Sequence, residues 1–173
     1  MKSQHKHIQV YEAVVETPFG AVGIVSQGMQ VVIDLLPEKL EQKPTTQKLA
    51  QNIAAQIEAY LKNANSGFNL PIKLKGTPFQ RNVWQIIDAI PSGQVLTYSQ
   101  IAEQLKSSPR AVANACGANF LPIVIPCHRV VAKDGLGGFM RDAEHGLTIK
   151  KWLLKHEAGA ISRTSNSILF SCT

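Results

Sequence analysis

The sequence predicts an α+β protein in which a small N-terminal α/β domain precedes a C-terminal helical domain with a helix-turn-helix. Two observations support this fold class. Short apolar runs separated by turn residues fill residues 8–36, whereas helical spacing and capping sequences dominate from residue 77 onward. With 45% hydrophobic and 17% charged side chains, the 173-residue chain can bury a core. We expect the domain boundary near Gly76, with domains at 1–75 and 76–160.

The N-terminal domain begins with three short apolar runs that are interrupted at residues 17–20 and 27–28. Proline and glycine at these breaks favour turns, so the spacing predicts β-hairpins. The expected core positions on the strands are Val14, Val15, Val22, Ile24, Val31 and Ile33. Apolar side chains at helical spacing then predict a helix over about residues 46–62, and residues 63–76 are expected to form a loop and a short strand.

Three helices of the C-terminal domain are predicted by their N-terminal capping residues. These residues are Thr77 with Gln80, Thr97 with Gln100, and Ser108 with Pro109 at the first helical position. A tight turn at Lys106 and Ser107 separates the second helix from the third, which is typical of a helix-turn-helix, although helical hairpins without a DNA function are common. A last helix is expected over residues 147–157, and residues 161–173 are expected to form a disordered tail.

The third of these helices carries mostly small side chains, among them Ala111 and Ala113, and a single arginine, Arg110, near its start. A recognition helix for the major groove normally displays several polar side chains to base edges. Small residues instead permit a close approach to the minor groove, or they simply allow tight packing between helices. From the sequence alone both interpretations remain open.

The composition limits the class of protein. A formal net charge of +6 and a pI of about 9.3 favour a polyanionic partner, and 6% aromatic residues are too few for a long platform that stacks single-stranded bases. The three cysteines follow no CxxC pattern, and no metal-binding cluster or cofactor motif accompanies them. The start of the chain lacks the apolar core of a signal peptide, and no run reaches the length of a membrane span. We therefore expect a reduced, soluble, cytoplasmic protein with no metal, no cofactor and no membrane association.

The segment IVIPCHRVV, residues 123–131, places a cysteine, a histidine and an arginine between two β-branched runs. Titratable side chains in apolar surroundings are costly unless they are paired or have a function. Cys127 is therefore a packed thiol, a metal ligand or a nucleophile. Apolar surroundings raise the pKa of a thiol, so a nucleophilic Cys127 would need a base beside it.

Five segments follow one another between residues 76 and 157: GTPFQRNVW, IPSGQVLTYSQIA, PRAVANACGAN, PCHRVV and KKWLLKHE. In this order they resemble the O6-alkylguanine-DNA alkyltransferases, also called methylated-DNA–protein-cysteine methyltransferases. The resemblance implies a ribonuclease-like N-terminal domain and a monomer with no obligate protein partner. It also implies DNA repair: the direct, single-turnover transfer of the alkyl group from O6-alkylguanine in double-stranded DNA to Cys127, with O4-alkylthymine as a further candidate substrate.

The resemblance also implies a role for each residue of the site. Cys127 would be the nucleophile, and His128 would take its proton through a water. Glu157 would orient the imidazole, and Asn119 would brace the turn that holds the thiol. Tyr98 would give a hydrogen bond or a proton to the leaving guanine. The substrate pocket is assigned to Tyr98, Phe139, Pro122 and Val130.

A guanine inside a duplex cannot present its O6 atom to a buried sulfur, so the resemblance implies minor-groove binding and nucleotide flipping. Arg110 would fill the space that the flipped nucleotide leaves in the stack. The other expected DNA contacts are Tyr98, Thr97, Ala111 and Ala113.

Three features depart from the family pattern. Phe139 stands where a tyrosine is usual, so the pocket loses a hydroxyl donor, and the loop that follows it, MRDAEHG, looks a few residues longer. Phe120 stands where a proline commonly follows Asn119. A non-enzymatic binder of alkylated DNA is the alternative function, but such proteins replace the cysteine that is present here. A transcription regulator would need base-reading side chains, which the third helix lacks.

Overall fold

The computed structural model describes residues 10–27, 30–140 and 143–168, and its first part is a three-stranded antiparallel sheet. The strands are β1 (Ala13–Thr17), β2 (Gly20–Gln27) and β3 (Gln30–Leu36), and they pair in that order. Val15 lies opposite Val22, and Ile24 lies opposite Ile33. Each of the six expected core side chains is at most 5% exposed, so the predicted hairpins are confirmed.

Helix α1 (Lys48–Lys62) packs on β1 and β2 and buries Ala50, Ile53, Ile57 and Tyr60. The short strand expected in residues 63–76 does not form, so that prediction is wrong. Pro71 has no amide hydrogen to give to a ladder, and the Ile72 amide bonds locally to the Leu70 carbonyl at 2.8 Å. The boundary expected near Gly76 falls within this irregular segment and stays a prediction.

Three helices of the second part begin where their capping residues predict. They are α2 (Pro78–Asp88), α3 (Tyr98–Gln104) and α4 (Pro109–Gly117). Thr77 and Thr97 each form a complete capping box, and the Ser108 hydroxyl accepts a hydrogen bond from the Ala111 amide. α3 and α4 pack against each other across a turn in which Lys106 has a φ of 50°, which gives the expected helix-turn-helix geometry.

A second, two-stranded parallel sheet pairs β4 (Leu96–Thr97) with β5 (Val130–Val131). β4 leads directly into α3, and β5 follows directly after the 3-10 turn Cys127–Arg129. This pairing therefore brings the start of α3, where Tyr98 lies, close to the turn that carries Cys127.

The last helix, α5, spans Ala143–Ile168 and is longer at both ends than predicted. Its first four residues, 143–146, belong to the segment MRDAEHG, which was expected to be a lengthened loop. Most of that segment is therefore helix, and residues 141–142 lie outside the described residues. The helix also continues past Glu157, where it was expected to end. No proline interrupts residues 158–168, and alanine at positions 158 and 160 favours helix. The helix therefore includes residues 161–168 of the expected tail, whose disorder stays a prediction, and residues 169–173 lie outside the described residues.

One continuous cluster of buried side chains links the sheet, α1 and the C-terminal helices. The Ile33 amide of β3 bonds to the Phe120 carbonyl at 2.9 Å, and the Trp84 indole on α2 bonds to the Ala115 carbonyl at 2.9 Å. The Phe120 ring packs edge-on against Trp84, so the residue that replaces the usual proline contributes to this core. None of the helices in the described part of the chain has the length and hydropathy needed to cross a membrane.

Candidate active site

Cys127 lies at the start of a short 3-10 turn that follows a constrained loop. In this loop Ile123 has a φ of 75°, a conformation that β-branched residues rarely adopt. The Ile125 amide bonds to the Leu121 carbonyl and the Cys127 amide to the Ile125 carbonyl, each at 2.8 Å. Such strain persists only where the surroundings hold it, and it is found most often at functional sites. The loop leaves Cys127 6% exposed.

Asn119, just after α4, holds this loop through both ends of its side-chain amide. Its Nδ2 group donates to the Ile125 carbonyl at 2.9 Å and to Cys127 Sγ at 3.1 Å, while its Oδ1 atom accepts from the Leu121 amide at 2.9 Å. Asn119 therefore fixes the position of the sulfur and also offers it a hydrogen-bond donor.

The pKa of the Cys127 thiol is raised, because burial disfavours the thiolate. The hydrogen bond from Asn119 and the positive charge of Lys150 act in the opposite direction and stabilise the thiolate. A thiol in this position needs a base to become a nucleophile.

His128 follows the cysteine and is completely buried. Its Nε2 atom lies 2.7 Å from Glu157 Oε1, and its Nδ1 atom has no hydrogen-bond partner among the described residues. Beside an ionised carboxylate, Nε2 carries the hydrogen and Nδ1 keeps a free lone pair. Burial lowers the pKa of His128, although the bond to Glu157 opposes this effect. The imidazole is therefore neutral near pH 7 and can accept a proton at Nδ1.

Glu157, on α5, is fully buried and accepts hydrogen bonds from several donors. Arg129 donates from Nη2 to Oε1 at 2.9 Å and from Nε to Oε2 at 3.0 Å, and the Gly93 amide donates to Oε2 at 3.1 Å. The Tyr60 hydroxyl on α1 donates to Oε1 at 2.8 Å. Burial opposes ionisation, but the bonds from His128 and Arg129 hold the pKa of Glu157 well below its usual range.

Lys150 is a buried cation, two turns before Glu157 on α5. Its Nζ group donates to the carbonyls of Val130 and Leu136 at 2.6 Å and to that of Gly138 at 3.0 Å. Burial lowers the pKa of Lys150 to about 8, while nearby Cys127 favours its charged form. The lysine therefore fastens the glycine-rich loop to β5 and places a positive charge near the thiol.

The expected pocket residues lie around this loop. The Tyr98 hydroxyl donates to the Gly138 carbonyl at 3.3 Å, and burial raises the pKa of Tyr98 to about 12, so the phenol keeps its proton. Phe139 is buried, as is Pro122. Val130 has no exposed surface, so its contact with a substrate stays a prediction.

The expected DNA contacts lie on α3, on its N-cap residue and on α4. Arg110 and Ala113 are exposed, and Ala111 is half-buried. Within the described part of the chain the Arg110 side chain makes no hydrogen bond or ion pair. The Thr97 side chain accepts a hydrogen bond from the Gln100 amide and so has a structural role as the cap of α3.

The structure thus brings Asn119 and Cys127 into contact, and likewise His128 and Glu157. Sequence reasoning missed two further side chains of the site, Lys150 and Tyr60, and gave no role to a third, Arg129. A signal for Lys150 was available, because it falls at helical spacing from Leu153 and Glu157 on the buried face of α5. No group of three or more histidine, cysteine or acidic residues that could hold a metal ion occurs in the described ranges.

Comparison with known proteins gives two kinds of match. Residues 78–159 match the family described as 6-O-methylguanine DNA methyltransferase, DNA binding domain. The chain is 42% identical over 149 residues to the probable methylated-DNA–protein-cysteine methyltransferase of Acanthamoeba polyphaga mimivirus, covering 83% of this chain and 94% of that one. It is 32% identical over 146 residues to the methylated-DNA–protein-cysteine methyltransferase of Metallosphaera sedula, covering 84% and 91% of the two chains.

Solved structures give the second kind of match. The crystal structure of the Mycobacterium tuberculosis O6-methylguanine methyltransferase matches with a TM-score of 0.70 and 27% identity, covering 85% of this chain and 92% of that one. The OGT of the same organism in complex with DNA matches with the same TM-score and identity, covering 87% and 94%. Each match covers more than four fifths of this chain and therefore extends beyond the helical part into the N-terminal part.

Proposed function

The chain belongs to the methylated-DNA–protein-cysteine methyltransferase family, and from this premise we propose that Cys127 is the residue that accepts the alkyl group from O6-alkylguanine in double-stranded DNA. The protein is a DNA-binding methyltransferase of DNA repair. The observation that most strongly supports Cys127 as acceptor is its setting: a buried sulfur with one hydrogen-bond donor, followed directly by a buried histidine that is paired with a carboxylate.

In the proposed reaction the sulfur displaces guanine from the alkyl carbon in line. The thiol proton moves through a water molecule toward His128 Nδ1, which has no hydrogen-bond partner in the part of the chain that the structure describes. A bond forms between Sγ and the alkyl carbon, the bond between that carbon and O6 breaks, and its electron pair stays on guanine. Guanine then regains one proton, so the products are a thioether at Cys127 and unmodified DNA.

Glu157 stabilises the imidazolium that forms when His128 takes the proton. The carboxylate is ionised across the physiological pH range because its pKa is held low. Lys150 stabilises the thiolate, and Tyr98 supplies the leaving guanine with a hydrogen bond, giving up its present bond to the Gly138 carbonyl. Each molecule reacts once because the thioether is stable.

The exposed start of α4 suits the delivery of the lesion. Small side chains let this helix approach the minor groove, and the free Arg110 side chain is long enough to enter the base stack as the nucleotide leaves it. Such binding reads no base edges, as repair at any sequence requires. The net charge of +6 favours phosphate contacts that are likewise independent of sequence.

The test is transfer of a labelled methyl group from duplex DNA to protein. An excess of duplex with one O6-methylguanine, labelled in the methyl group, is incubated with the protein, and the label is followed on a denaturing gel. We expect at most one methyl group per protein molecule and none with Cys127→Ala, which should still retard the lesion duplex on a native gel. Lesion-selective binding by the unaltered protein without transfer would identify a lesion binder instead.

A further inference from the structure

The Glu157 carboxylate has a hydrogen-bond partner in the other half of the molecule. Tyr60, near the end of α1, is 97 positions away in sequence, 1% exposed, and donates from its hydroxyl to Oε1 at 2.8 Å. The same oxygen also accepts the hydrogen bond from His128 Nε2, at 2.7 Å. A residue packed against the N-terminal sheet thus shares the carboxylate oxygen on which the base of the proposed reaction depends.

We infer that Tyr60 is a positioning residue for the reaction: its hydroxyl holds the Glu157 carboxylate against His128 and limits how strongly that carboxylate increases the basicity of the imidazole. This inference deepens the proposed function and rests on it.

The geometry around Glu157 Oε1 shows how the Tyr60 hydroxyl can hold the carboxylate in position. A carboxylate on a helix can rotate about its side-chain bonds, and the direction of Oε1 sets the orientation of the imidazole ring. The phenol ring of Tyr60 is held in place because it packs against the ring of Phe68 and against the ring of His156. The His156 ring in turn bonds through Nε2 to the Tyr60 carbonyl at 2.9 Å. Tyr60 is therefore a rigid donor with few alternative orientations.

The Tyr60 hydroxyl and His128 Nε2 compete for the same oxygen, Glu157 Oε1. Each donor to Oε1 draws negative charge away from the bond to His128, so each donor weakens the stabilisation of the imidazolium. The charged and titratable groups around the pair are Tyr60 from α1, Arg129 and Cys127 from the 3-10 turn, and Lys150 from α5. Of these, Tyr60 alone is neutral at physiological pH and bonded to Oε1, because burial and the neighbouring carboxylate raise its pKa.

Tyr60→Phe removes only the hydroxyl and keeps the ring contacts, so it is the variant to use. With one donor fewer, Glu157 binds the imidazolium more strongly, and the pKa of His128 should rise by about half to one pH unit. The acid side of the pH–rate profile for transfer to Cys127 should therefore move to higher pH by the same amount. At pH values below the midpoints of both proteins, transfer should slow roughly threefold to tenfold, and at higher pH the two rates should converge.

Phe68→Leu is the matched control, since it disturbs the packing of the Tyr60 ring but leaves the hydroxyl in place. We expect it to lower stability without moving the pH midpoint. A purely structural role for Tyr60 predicts the same behaviour for Tyr60→Phe, and a midpoint that coincides with that of the unaltered protein would overturn the inference.

The profile is measured in two ways to separate this inference from the proposed function. Transfer from duplex DNA tests both the proposed function and the role of Tyr60. The rate of Cys127 alkylation by iodoacetamide, followed by mass spectrometry, depends on the protonation of the same imidazole but needs no DNA. A protein that does not accept methyl groups from DNA would contradict the proposed function only. A Tyr60→Phe profile that coincides with the unaltered one in the iodoacetamide reaction would contradict only the role of Tyr60.

Discussion

At the scale of single residues, the reactivity of Cys127 depends on how three neighbours offset the effect of burial. Burial raises the pKa of the thiol, while the Asn119 amide and the Lys150 charge stabilise the thiolate. His128 then supplies the base, with its Nδ1 atom free of other partners among the described residues. The effects of Asn119 and Lys150 can be separated, because one acts through a contact with sulfur and the other through charge.

Asn119→Ser should impair both the position and the ionisation of Cys127. The substitution removes the donor to Sγ, the donor to the Ile125 carbonyl and the acceptor of the Leu121 amide. We expect a loss of about 1–3 kcal/mol in the free energy of unfolding, and an alkylation profile for Cys127 that moves to higher pH. Urea unfolding and iodoacetamide reactivity measure the two effects.

The control for this prediction is Asn65→Ser, since Asn65 is an exposed asparagine in the irregular segment after α1. It should alter neither quantity measurably. A profile for Asn119→Ser that matches that of the control would show that the contact with sulfur is without consequence for ionisation.

Lys150→Met should move the pH dependence of Cys127 alkylation upward and loosen the loop of residues 132–140. The three carbonyls that Lys150 now binds would lose their donor, and the thiolate would lose a nearby positive charge. Hydrogen exchange in the loop and iodoacetamide reactivity measure the two effects. Lys151→Met is the matched control, one residue along α5 and exposed. Equal behaviour of the two variants would contradict the role given to Lys150.

The sequence allowed four residues of the site to be predicted because each lies in a motif with a recognised order. Cys127 and His128 are adjacent in PCHRVV, Asn119 ends PRAVANACGAN, and Glu157 ends KKWLLKHE. Tyr60 was not predictable, because a contact across 97 positions depends on how α1 packs against α5 and leaves no local pattern. Arg129 was read as one member of a trio, and its bonds to Glu157 depend on the same packing.

At the scale of elements, α3 and α4 form the surface proposed to meet DNA. Their positions are fixed by caps and by packing: Thr97 and Ser108 cap the helices, and Val112 and Ala115 bury the inner face of α4. Arg110 lies at the second position of α4 and is exposed. Its replacement should therefore alter DNA repair without altering the fold.

Arg110→Ala should slow transfer from duplex DNA far more than transfer from single-stranded DNA. Flipping a nucleotide out of a duplex costs a few kcal/mol, and a side chain that fills the gap offsets part of this cost. We expect transfer from the duplex to slow by about tenfold to a hundredfold, with a much smaller change on the single strand. Rapid-quench kinetics on the two substrates measure the ratio.

Arg81→Ala provides the comparison, since it removes an equal charge from the exposed surface of α2. This variant measures the effect of losing one positive charge on the general attraction to phosphates. It should slow transfer from both substrates slightly and to the same extent. Equal slowing of both substrates by Arg110→Ala would indicate that Arg110 contacts phosphate rather than the base stack.

The starts of helices were predictable where capping residues define them. The start of α5 was not, because a glycine inside the helix was interpreted as part of a loop. Thr77, Thr97 and Ser108 gave the starts of three helices correctly. Gly146 suggested a loop, yet it lies inside α5, where a Cβ atom would come within 2.4 Å of the Phe139 carbonyl oxygen. That glycine permits close packing of helix against loop, which a single sequence does not distinguish from a turn.

At the scale of the whole molecule, the buried pair of His128 and Glu157 should govern the response of stability to acid. The folded pKa of His128 lies below its ordinary value of 6.5, so below pH 6.5 the unfolded chain takes up a proton that the folded protein does not. The folded pKa of Glu157 lies below its ordinary value of 4.5, so its contribution is present above pH 4.5 and is lost as the pH falls further. Urea unfolding between pH 8 and about pH 4 should show a stability that declines below pH 6.5.

His128→Asn tests the origin of this decline. The variant is expected to be less stable at pH 7, but its stability should change less between pH 6.5 and pH 5 than that of the unaltered protein. His145→Asn is the control, because this histidine is exposed on α5 and its removal should leave the slope unchanged. An unchanged slope in His128→Asn would mean that other groups carry the acid sensitivity.

The central claim is that one particular sulfur accepts the alkyl group, and peptide mapping after reaction tests it most directly. The chain has three cysteines, Cys116, Cys127 and Cys172, so the intact mass alone does not identify the acceptor. The protein is reacted with a duplex that carries one O6-methylguanine, digested, and mapped by mass spectrometry alongside Cys127→Ala. We predict one added methyl group, on Cys127 only, and none anywhere in the variant. A methyl group on Cys116 or Cys172, or an unmodified Cys127 after the lesion has been repaired, would contradict the account.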